Sequence, residues 1–253
     1  LARINSAATL GLDARVLDVE VDSSGGVPRF TIVGLPDTSV REARERVRSA
    51  LKNCGFSLPG GAVTVNLAPA DFRKSGAALD LPVAIGLLWL QGVRSASPAR
   101  RVFVGELGLG GDVRPIRGAL CLALAAREAG FDEIVVPADN AAEAAAIVGI
   151  QVVPVEHLAG AVGHVLGSRP IPAARASARV SSDPSGPDFS DIRGQAVARR
   201  AAEIAAAGGH HLLLTGPPGA GKTMLARRLP GILPRLTAPE AIEVTRIHSI
   251  AGA

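Results

Sequence analysis

Eight consecutive residues carry the most specific chemistry in this sequence: Gly216-Pro217-Pro218-Gly219-Ala220-Gly221-Lys222-Thr223. They satisfy the pattern G-x-x-x-x-G-K-[ST] at every fixed position. Glycines allow such a loop to turn its backbone N–H groups inward, where they attract anionic oxygens. In this pattern Lys222 is expected to reach the β- and γ-phosphates of a nucleotide, and the Thr223 hydroxyl to ligate Mg²⁺. The sequence therefore predicts a site for a nucleoside triphosphate with Mg²⁺.

The flanking segments supply the context that this pattern needs. His211 to Thr215 is predicted to form a short buried strand, and Met224 to Leu229 a helix. The alternative is a glycine- and proline-rich turn that contains Lys222 and Thr223 by chance. The strand–loop–helix order favours the nucleotide site.

Length and composition restrict the class of protein. A chain of 253 residues with 47% hydrophobic residues predicts one or two globular domains. The most apolar stretch, Ala77 to Val93, is interrupted by Asp80, Pro82 and Gln91, so we expect a buried helix rather than a membrane span. Residues 1–5 lack the layout of a signal peptide. We expect a cytoplasmic protein that does not associate with a membrane.

Two cysteines and a modest charge say little about partners. Cys54 and Cys121 are far apart in the sequence, without a companion at metal-ligand spacing, so free buried thiols are expected rather than a disulfide or a metal site. The net charge of +4 permits weak attraction to nucleic acid without demonstrating it.

Hydrophobic periodicity predicts a mixed α/β fold, with strands first and then alternating strands and helices. Predicted strands cover 16–22, 29–33, 62–67, 101–107, 134–137 and 151–155. Predicted helices begin near residues 39, 78, 119, 140, 156, 195 and 237. The helix at 39 is expected to start with a capping box of Ser39 and Glu42. The stretch 167–187 is rich in Ser, Pro, Ala and Arg without periodicity, which is typical of a linker.

One face of the helix that begins near Ser39 is basic. Arg41, Arg44, Arg48 and Lys52 form a row along it. Such a row can hold a phosphate backbone. No aromatic residue interleaves it in the sequence, and this favours an ordinary solvated face.

Several short runs together match a known pattern. They are Gly34-Leu35-Pro36, Val63 to Asp71, Lys74-Ser75-Gly76, Asp80-Leu81-Pro82, Asp188 to Gln195, Ala205 to His211, and Gly216 to Thr223. With these runs the chain resembles the ComM/YifB family of magnesium-chelatase-like AAA+ ATPases. The resemblance implies a Lon-protease-like mixed α/β domain over 1–167, a linker over 168–189, and the start of a P-loop AAA+ α/β domain over 190–253.

The resemblance to Lon raises the possibility of a Ser/Lys peptidase, which needs a hydroxyl nucleophile beside a lysine that can lose its proton. Counted from the matching motifs, the serine position is Ala78 and the lysine position is Leu120. Both are apolar. Lys74 and Ser75 are adjacent and do not face each other, so peptidase activity is not expected.

In the family, the segment from Asp191 to Gln195 lies along the adenine. The resemblance therefore implies ATP as the nucleotide, Ile192 as an apolar wall for the base, and Gly194 as a point of close approach. An ordinary helix start capped by Asp191 is the alternative. His210 and His211 are neighbours on one segment and are not expected to share a metal ion.

The family also implies features that this sequence does not contain. No acidic strand of the Walker B type follows Thr223, and no arginine finger is recognisable, so we expect the N-terminal half of a longer ATPase. Leu1 in place of methionine fits that expectation. The resemblance alone implies that the full-length protein forms a ring, expected to be hexameric, that hydrolyses ATP to move along DNA during recombination of incoming strands. Insertion of Mg²⁺ into a porphyrin and a non-enzymatic interaction module are the alternatives.

Overall fold

The computed structural model describes residues 1–93, 99–175 and 187–252. The chain divides into two compact units. Leu1–Ser177 together with Ile242–Ala253 is called here the N-terminal unit, and Ala178–Ala241 the phosphate-loop unit. The domain boundaries inferred from the sequence stay a prediction, and residues 176–186 of the predicted linker lie outside the described residues.

The N-terminal unit is built on a mixed sheet. Its strands are β1 (Ala2–Leu10), β2 (Asp13–Ser24), β3 (Arg29–Val33), β4 (Ala62–Ala68), β5 (Arg101–Phe103), β6 (Glu106–Leu107), β7 (Val113–Arg114), β8 (Glu133–Pro137) and β9 (Gln151–Val155). Seven of them form one sheet in the order β3-β4-β2-β1-β5-β8-β9, and β6 pairs with β7. The pairs β1–β2 and β2–β4 are antiparallel, and the other four pairs of the large sheet are parallel. The mixed α/β class predicted from the sequence is confirmed.

Helices cover both faces of this sheet. They are α1 (Thr38–Asn53), α2 (Asp80–Leu90), α3 (Ala119–Glu128), α4 (Ala141–Ala144) and α5 (Leu158–Val165). Buried side chains of α1, α2 and α5 join one hydrophobic core, and those of α3 and α4 join a second core on the other face. No helix among the described residues has both the length and the apolar character needed to cross a bilayer.

Strand β2 shows the alternation of buried and exposed side chains that the sequence predicted. Leu17, Val19 and Val21 point to the same face and are buried, because residues two apart share one face of a strand. Strand β1 was not predicted. Its centre places Ser6, Ala7 and Ala8 in buried positions on both faces, which hides the period of two.

Helix α1 begins two residues earlier than predicted. Asp37 is the N-cap, and its carboxylate accepts a hydrogen bond from the Val40 N–H at 2.8 Å. Ser39 lies inside the first turn, so the predicted capping box of Ser39 and Glu42 is wrong. Asp is as good an N-cap as Ser, and the aspartate comes first in the chain.

A buried ion pair joins α1 to α2 and β6. The Arg46 guanidinium donates to both carboxylate oxygens of Asp80, at 2.6 and 3.0 Å, and the Leu107 N–H donates to the same carboxylate at 3.2 Å. The Asp80 side chain is 0% exposed. Burial raises the pKa of the Asp80 carboxyl, and the Arg46 guanidinium partly opposes that rise.

The contact between β1 and β5 is short. Only Asn5 and Val102 are registered as a pair across these parallel strands. Side chains of β1 supplement the ladder, because Ser6 Oγ donates to the Phe103 carbonyl at 2.8 Å and Asn5 Nδ2 donates to the Arg101 carbonyl at 3.5 Å. Strand β1 thus links the antiparallel part of the sheet to its parallel part.

The phosphate-loop unit is helical in its described residues. Helices α6 (Ala196–Gly208) and α7 (Lys222–Arg228) flank the loop, and short 3-10 turns occupy Phe189–Asp191 and Leu229–Ile232. Helix α8 (Ala238–Ala251) begins in this unit, and its residues from Ile242 onward belong to the N-terminal unit. The predicted buried strand from His211 to Thr215 is wrong, since Leu213 is 85% exposed and the segment pairs with no described strand. An isolated strand has no ladder partner to stabilise it.

Candidate nucleotide-binding site

The glycine loop adopts backbone angles that favour glycine. Gly216, Gly219 and Gly221 have φ values of 152°, 82° and 85°. A side chain at these positions would be strained, because L-residues rarely adopt positive φ. Gly221 is also the N-cap residue of α7, so the loop leads directly into the helix that carries Lys222.

Lys222 folds back across the loop. Its ammonium group donates hydrogen bonds to the carbonyl oxygens of Gly216 at 2.8 Å and Pro217 at 2.7 Å. The positive charge is therefore held at the mouth of the loop by main-chain acceptors. Thr223 follows it and is exposed to solvent.

A cavity of about 180 Å³ lies beside the loop. Its lining residues are Ile192, Gln195, Ala198, Leu214, Thr215, Gly216, Pro217, Ala220, Gly221, Lys222, Met224 and Leu225. Among these residues Lys222 carries the one ionisable side chain, and the other side chains are mostly apolar. An apolar cavity with a single cation at its edge suits a flat base joined to a phosphate chain.

The apolar wall comes from the segment that precedes α6. Ile192 is 1% exposed and packs with Phe189 and Leu225 in a small core. Its carbonyl accepts a hydrogen bond from Arg199 Nη1 at 3.2 Å, which ties the segment to α6. The side chain is thus fixed in place where it lines the cavity.

Gln195 connects the two sides of the cavity. It adopts a positive φ of 51° although it is not glycine, and its Nε2 donates to the Ala220 carbonyl in the loop at 3.4 Å. Strained backbone of this kind persists where surrounding contacts hold it, and it is common at binding sites.

An ion pair closes the same segment onto α7. Arg228 donates to the Asp191 carboxylate at 3.1 and 3.2 Å, while Asp188 caps the 3-10 turn by accepting from the Ser190 N–H at 2.7 Å. Hydrogen bonding from the Ser190 side chain, together with this bond from its N–H, holds the pKa of the Asp188 carboxyl below its usual value. Asp191 does not cap a regular helix, which was the alternative, because α6 starts only after Gln195.

The structure brings together most of the residues singled out in the sequence. Gly216, Pro217, Ala220, Gly221, Lys222 and Ile192 line one cavity. Pro218, Gly219, Thr223 and Gly194 do not line it; Gly194 has a φ of 70° and is exposed. Sequence reasoning missed Gln195 and Met224. Gln195 ends the matched run from Asp188 to Gln195, so that run was an available signal.

Two family models match this chain. One, described as subunit ChlI of Mg-chelatase, matches residues 19–140, and the other, described as magnesium chelatase, subunit ChlI, matches residues 188–253. The chain belongs to the magnesium chelatase ChlI-like family. The resemblance inferred from the sequence is confirmed.

Curated relatives of this ChlI-like chain match along its whole length. An uncharacterized protein of Mycobacterium tuberculosis is 45% identical over 256 residues, and the uncharacterized protein YifB of Escherichia coli is 42% identical over 258 residues, each covering 100% of this chain and 50% of the relative. Competence protein ComM of Haemophilus influenzae is 43% identical over 255 residues, covering 99% of this chain and 50% of the relative. The chain spans about half the length of these relatives.

The N-terminal unit of the ChlI-like chain has a cavity of its own, of about 460 Å³. Ser39, Ser75, Ala78 and Arg117 are among its lining residues. Leu120, at the lysine position of the Lon pattern, is 0% exposed in the core of the other sheet face.

Lys74 is not available to activate Ser75. Its side chain is fully buried, its ammonium donates to the Pro69 carbonyl, and it lies 4.2 Å from the centre of the Phe72 ring. Burial lowers the pKa of Lys74. No lysine is among the residues that line this cavity, so a nucleophile there would have no lysine base beside it.

Cys54 and Cys121 are both free thiols, and burial raises the pKa of each. Among the described residues no group of three or more His, Cys, Asp or Glu side chains is placed to hold a metal ion. His210 and His211 are both exposed.

Proposed function

We propose that this chain binds ATP with Mg²⁺ as the nucleotide-binding part of an AAA+-like ATPase. The observation that carries the proposal is the shared cavity: the glycine loop, the Lys222 ammonium and the apolar Ile192 side chain line it together. Membership of the ChlI-like family supports it.

The residues fit the nucleotide in charge and in shape. Lys222 would exchange its two carbonyl partners for phosphate oxygens, and backbone N–H groups of the loop would donate to the same oxygens. The Thr223 hydroxyl is the group that would hold Mg²⁺, which supplies neutralising charge on the phosphates. Ile192 would contact the base, and Gly194 would allow the chain close to it.

Binding and turnover are separable in this proposal. No aspartate or glutamate is among the residues that line the cavity, so no carboxylate there can join Thr223 in holding Mg²⁺ or position water for hydrolysis. We expect the 253-residue chain to bind MgATP and to hydrolyse it negligibly.

The test is nucleotide affinity of matched variants. A fluorescent ATP analogue is titrated with Mg²⁺ into the wild type, Lys222→Ala and Arg227→Ala, with circular dichroism as the check on folding. Arg227 is an exposed cation on α7 that does not line the cavity. We expect Lys222→Ala to abolish binding and Arg227→Ala to retain it. Equal affinity of all three proteins, all folded, would refute the proposal.

We further propose that the full-length protein is a hexameric ring that uses ATP to move along DNA. The 43% identity to competence protein ComM supports this. The measurements are the mass of the full-length protein with and without ATP, and its ATP-dependent movement of branched DNA. Insertion of Mg²⁺ into a porphyrin, assayed in parallel, would appear only if the chelation alternative holds.

A further inference from the structure

The described surface of α1 carries unpaired cations. Arg41, Arg48 and Lys52 are exposed, and none of their side chains has a hydrogen bond or ion pair to a described residue. Arg44 is exposed as well and pairs with the neighbouring Glu45 at 2.8 Å. Residues four apart lie on one side of a helix about 6 Å from each other, so these charges form a row.

The fold adds a fourth unpaired cation to this row. Arg29, the first residue of β3, lines an open groove of about 210 Å³ together with Arg48, Phe30 and Leu58. Arg48 and Leu58 also line a second open groove of about 410 Å³, with Lys52 and Phe56. Because they share Arg48 and Leu58, the two grooves adjoin. We call Arg29, Phe30, Arg48, Lys52, Phe56 and Leu58 the basic groove.

Aromatic rings lie among the charges, which the sequence pattern did not show. Phe30 comes from β3 and Phe56 from the loop after α1, and both are half-buried, with part of each side chain at the groove surface. Glu45 is the acidic residue among the lining residues, and Arg44 engages it. Cations that follow a backbone and rings that stack on bases are the two requirements for binding single-stranded nucleic acid.

We propose that the basic groove binds single-stranded nucleic acid without sequence preference. Arg29, Arg48 and Lys52 contact consecutive phosphates, and Phe56 and Phe30 contact bases. Phosphate contacts carry no sequence information, and every base has a stacking face. The groove lies in the N-terminal unit and is independent of the proposed nucleotide site.

The test is fluorescence anisotropy of a labelled oligothymidylate with the 253-residue chain, without nucleotide. With three phosphate contacts to a single strand, the logarithm of the binding constant should fall with the logarithm of the salt concentration at a slope of about −2. The affinity should then be about 20-fold weaker at 200 mM than at 50 mM salt. Arg48→Glu/Lys52→Glu should weaken binding more than tenfold and reduce the slope to about −0.7. Phe56→Leu keeps apolar packing and should weaken binding about fivefold at an unchanged slope.

Matched controls make the outcome decisive. Arg169→Glu/Arg175→Glu makes the same change of charge on exposed residues after α5, near β9 at the opposite edge of the sheet, and should bind as the wild type does. Lys222→Ala should also bind normally, which separates this proposal from the nucleotide site. Wild-type affinity in Arg48→Glu/Lys52→Glu, or equal loss in the control pair, would overturn the proposal. Equal affinity for a duplex together with no effect of Phe56→Leu would overturn the single-strand assignment.

Discussion

Removing the Asp80 carboxylate should destabilise the N-terminal unit by leaving the Arg46 guanidinium without its main partner. Asp80 is 0% exposed and the Arg46 side chain is 19% exposed. Breaking a buried pair from one side costs about 3–5 kcal/mol. Because Arg46 keeps some contact with water and a hydrogen bond to the Ser39 carbonyl at 2.9 Å, we expect the low end for Asp80→Ala, about 3 kcal/mol.

The assay is urea unfolding followed by the fluorescence of Trp89, which lies in α2 with Asp80. With a slope of about 2 kcal/mol per molar urea, a loss of 3 kcal/mol lowers the midpoint by about 1.5 M. Glu42→Ala removes the exposed partner of Arg46 at 3.8 Å and should cost less than about 0.5 kcal/mol.

A double variant separates the cost of an unpaired charge from the contribution of the ion pair itself. Arg46→Met/Asp80→Leu replaces both charges with apolar groups, so we expect it to regain the part of the lost stability that is due to the unpaired Arg46 charge, while the Leu107 N–H still lacks its acceptor. A midpoint for Asp80→Ala within about 0.3 M of the wild type would show that the pair contributes little, contrary to this reasoning.

Two further predictions concern single residues of the same unit. Gly34 has a φ of 97°, and a Cβ there would lie 2.3 Å from the Leu67 carbonyl oxygen. Gly34→Ala should therefore lower the free energy of unfolding by well above the roughly 1–2 kcal/mol that backbone strain alone would cost. Gly11→Ala, with a φ of 63° and no atom within 4 Å of the added Cβ, should cost only that strain; similar urea midpoints for the two variants would contradict the close approach. Burial lowers the folded-state pKa of Lys74 from 10.5, so above that lowered pKa the unfolded chain binds more protons and wild-type stability rises with pH towards 10.5. Lys74→Met has no ammonium group at this position and so lacks this pH-dependent contribution. In urea unfolding, the difference in stability should therefore grow in favour of the wild type between pH 7 and pH 10. A difference that stays constant over this range would contradict the lowered pKa of Lys74.

Strong periodicity made much of the N-terminal unit predictable. The bounds of β3 and β9 agree with the segments 29–33 and 151–155, since each is a short apolar run between turn residues. The buried face of α1 follows from apolar residues three and four apart. These features depend on neighbours in the sequence, which a single chain displays directly.

Other features depend on partners that the sequence does not place. The segment from His211 to Thr215 has the composition of a strand, but a strand forms only against another strand. The aromatic rings beside Arg48 come from β3 and from the loop after α1, and only the folded chain brings them to that helix. The same holds for Gln195, whose contact with Ala220 crosses the cavity. The glycine loop itself was predictable because its chemistry is local.

Because β1 and β5 share a single registered pair, the boundary between them has the fewest paired residues in the large sheet. On one side β1, β2, β4 and β3 are tied by long ladders, and on the other β5, β8 and β9 form a second block. The hydrogen bond from the Ser6 hydroxyl to the Phe103 carbonyl joins the two blocks there. A bound partner that separates the two blocks would break few strand hydrogen bonds, but it would also have to part the two hydrophobic cores, each of which contains buried residues of both blocks.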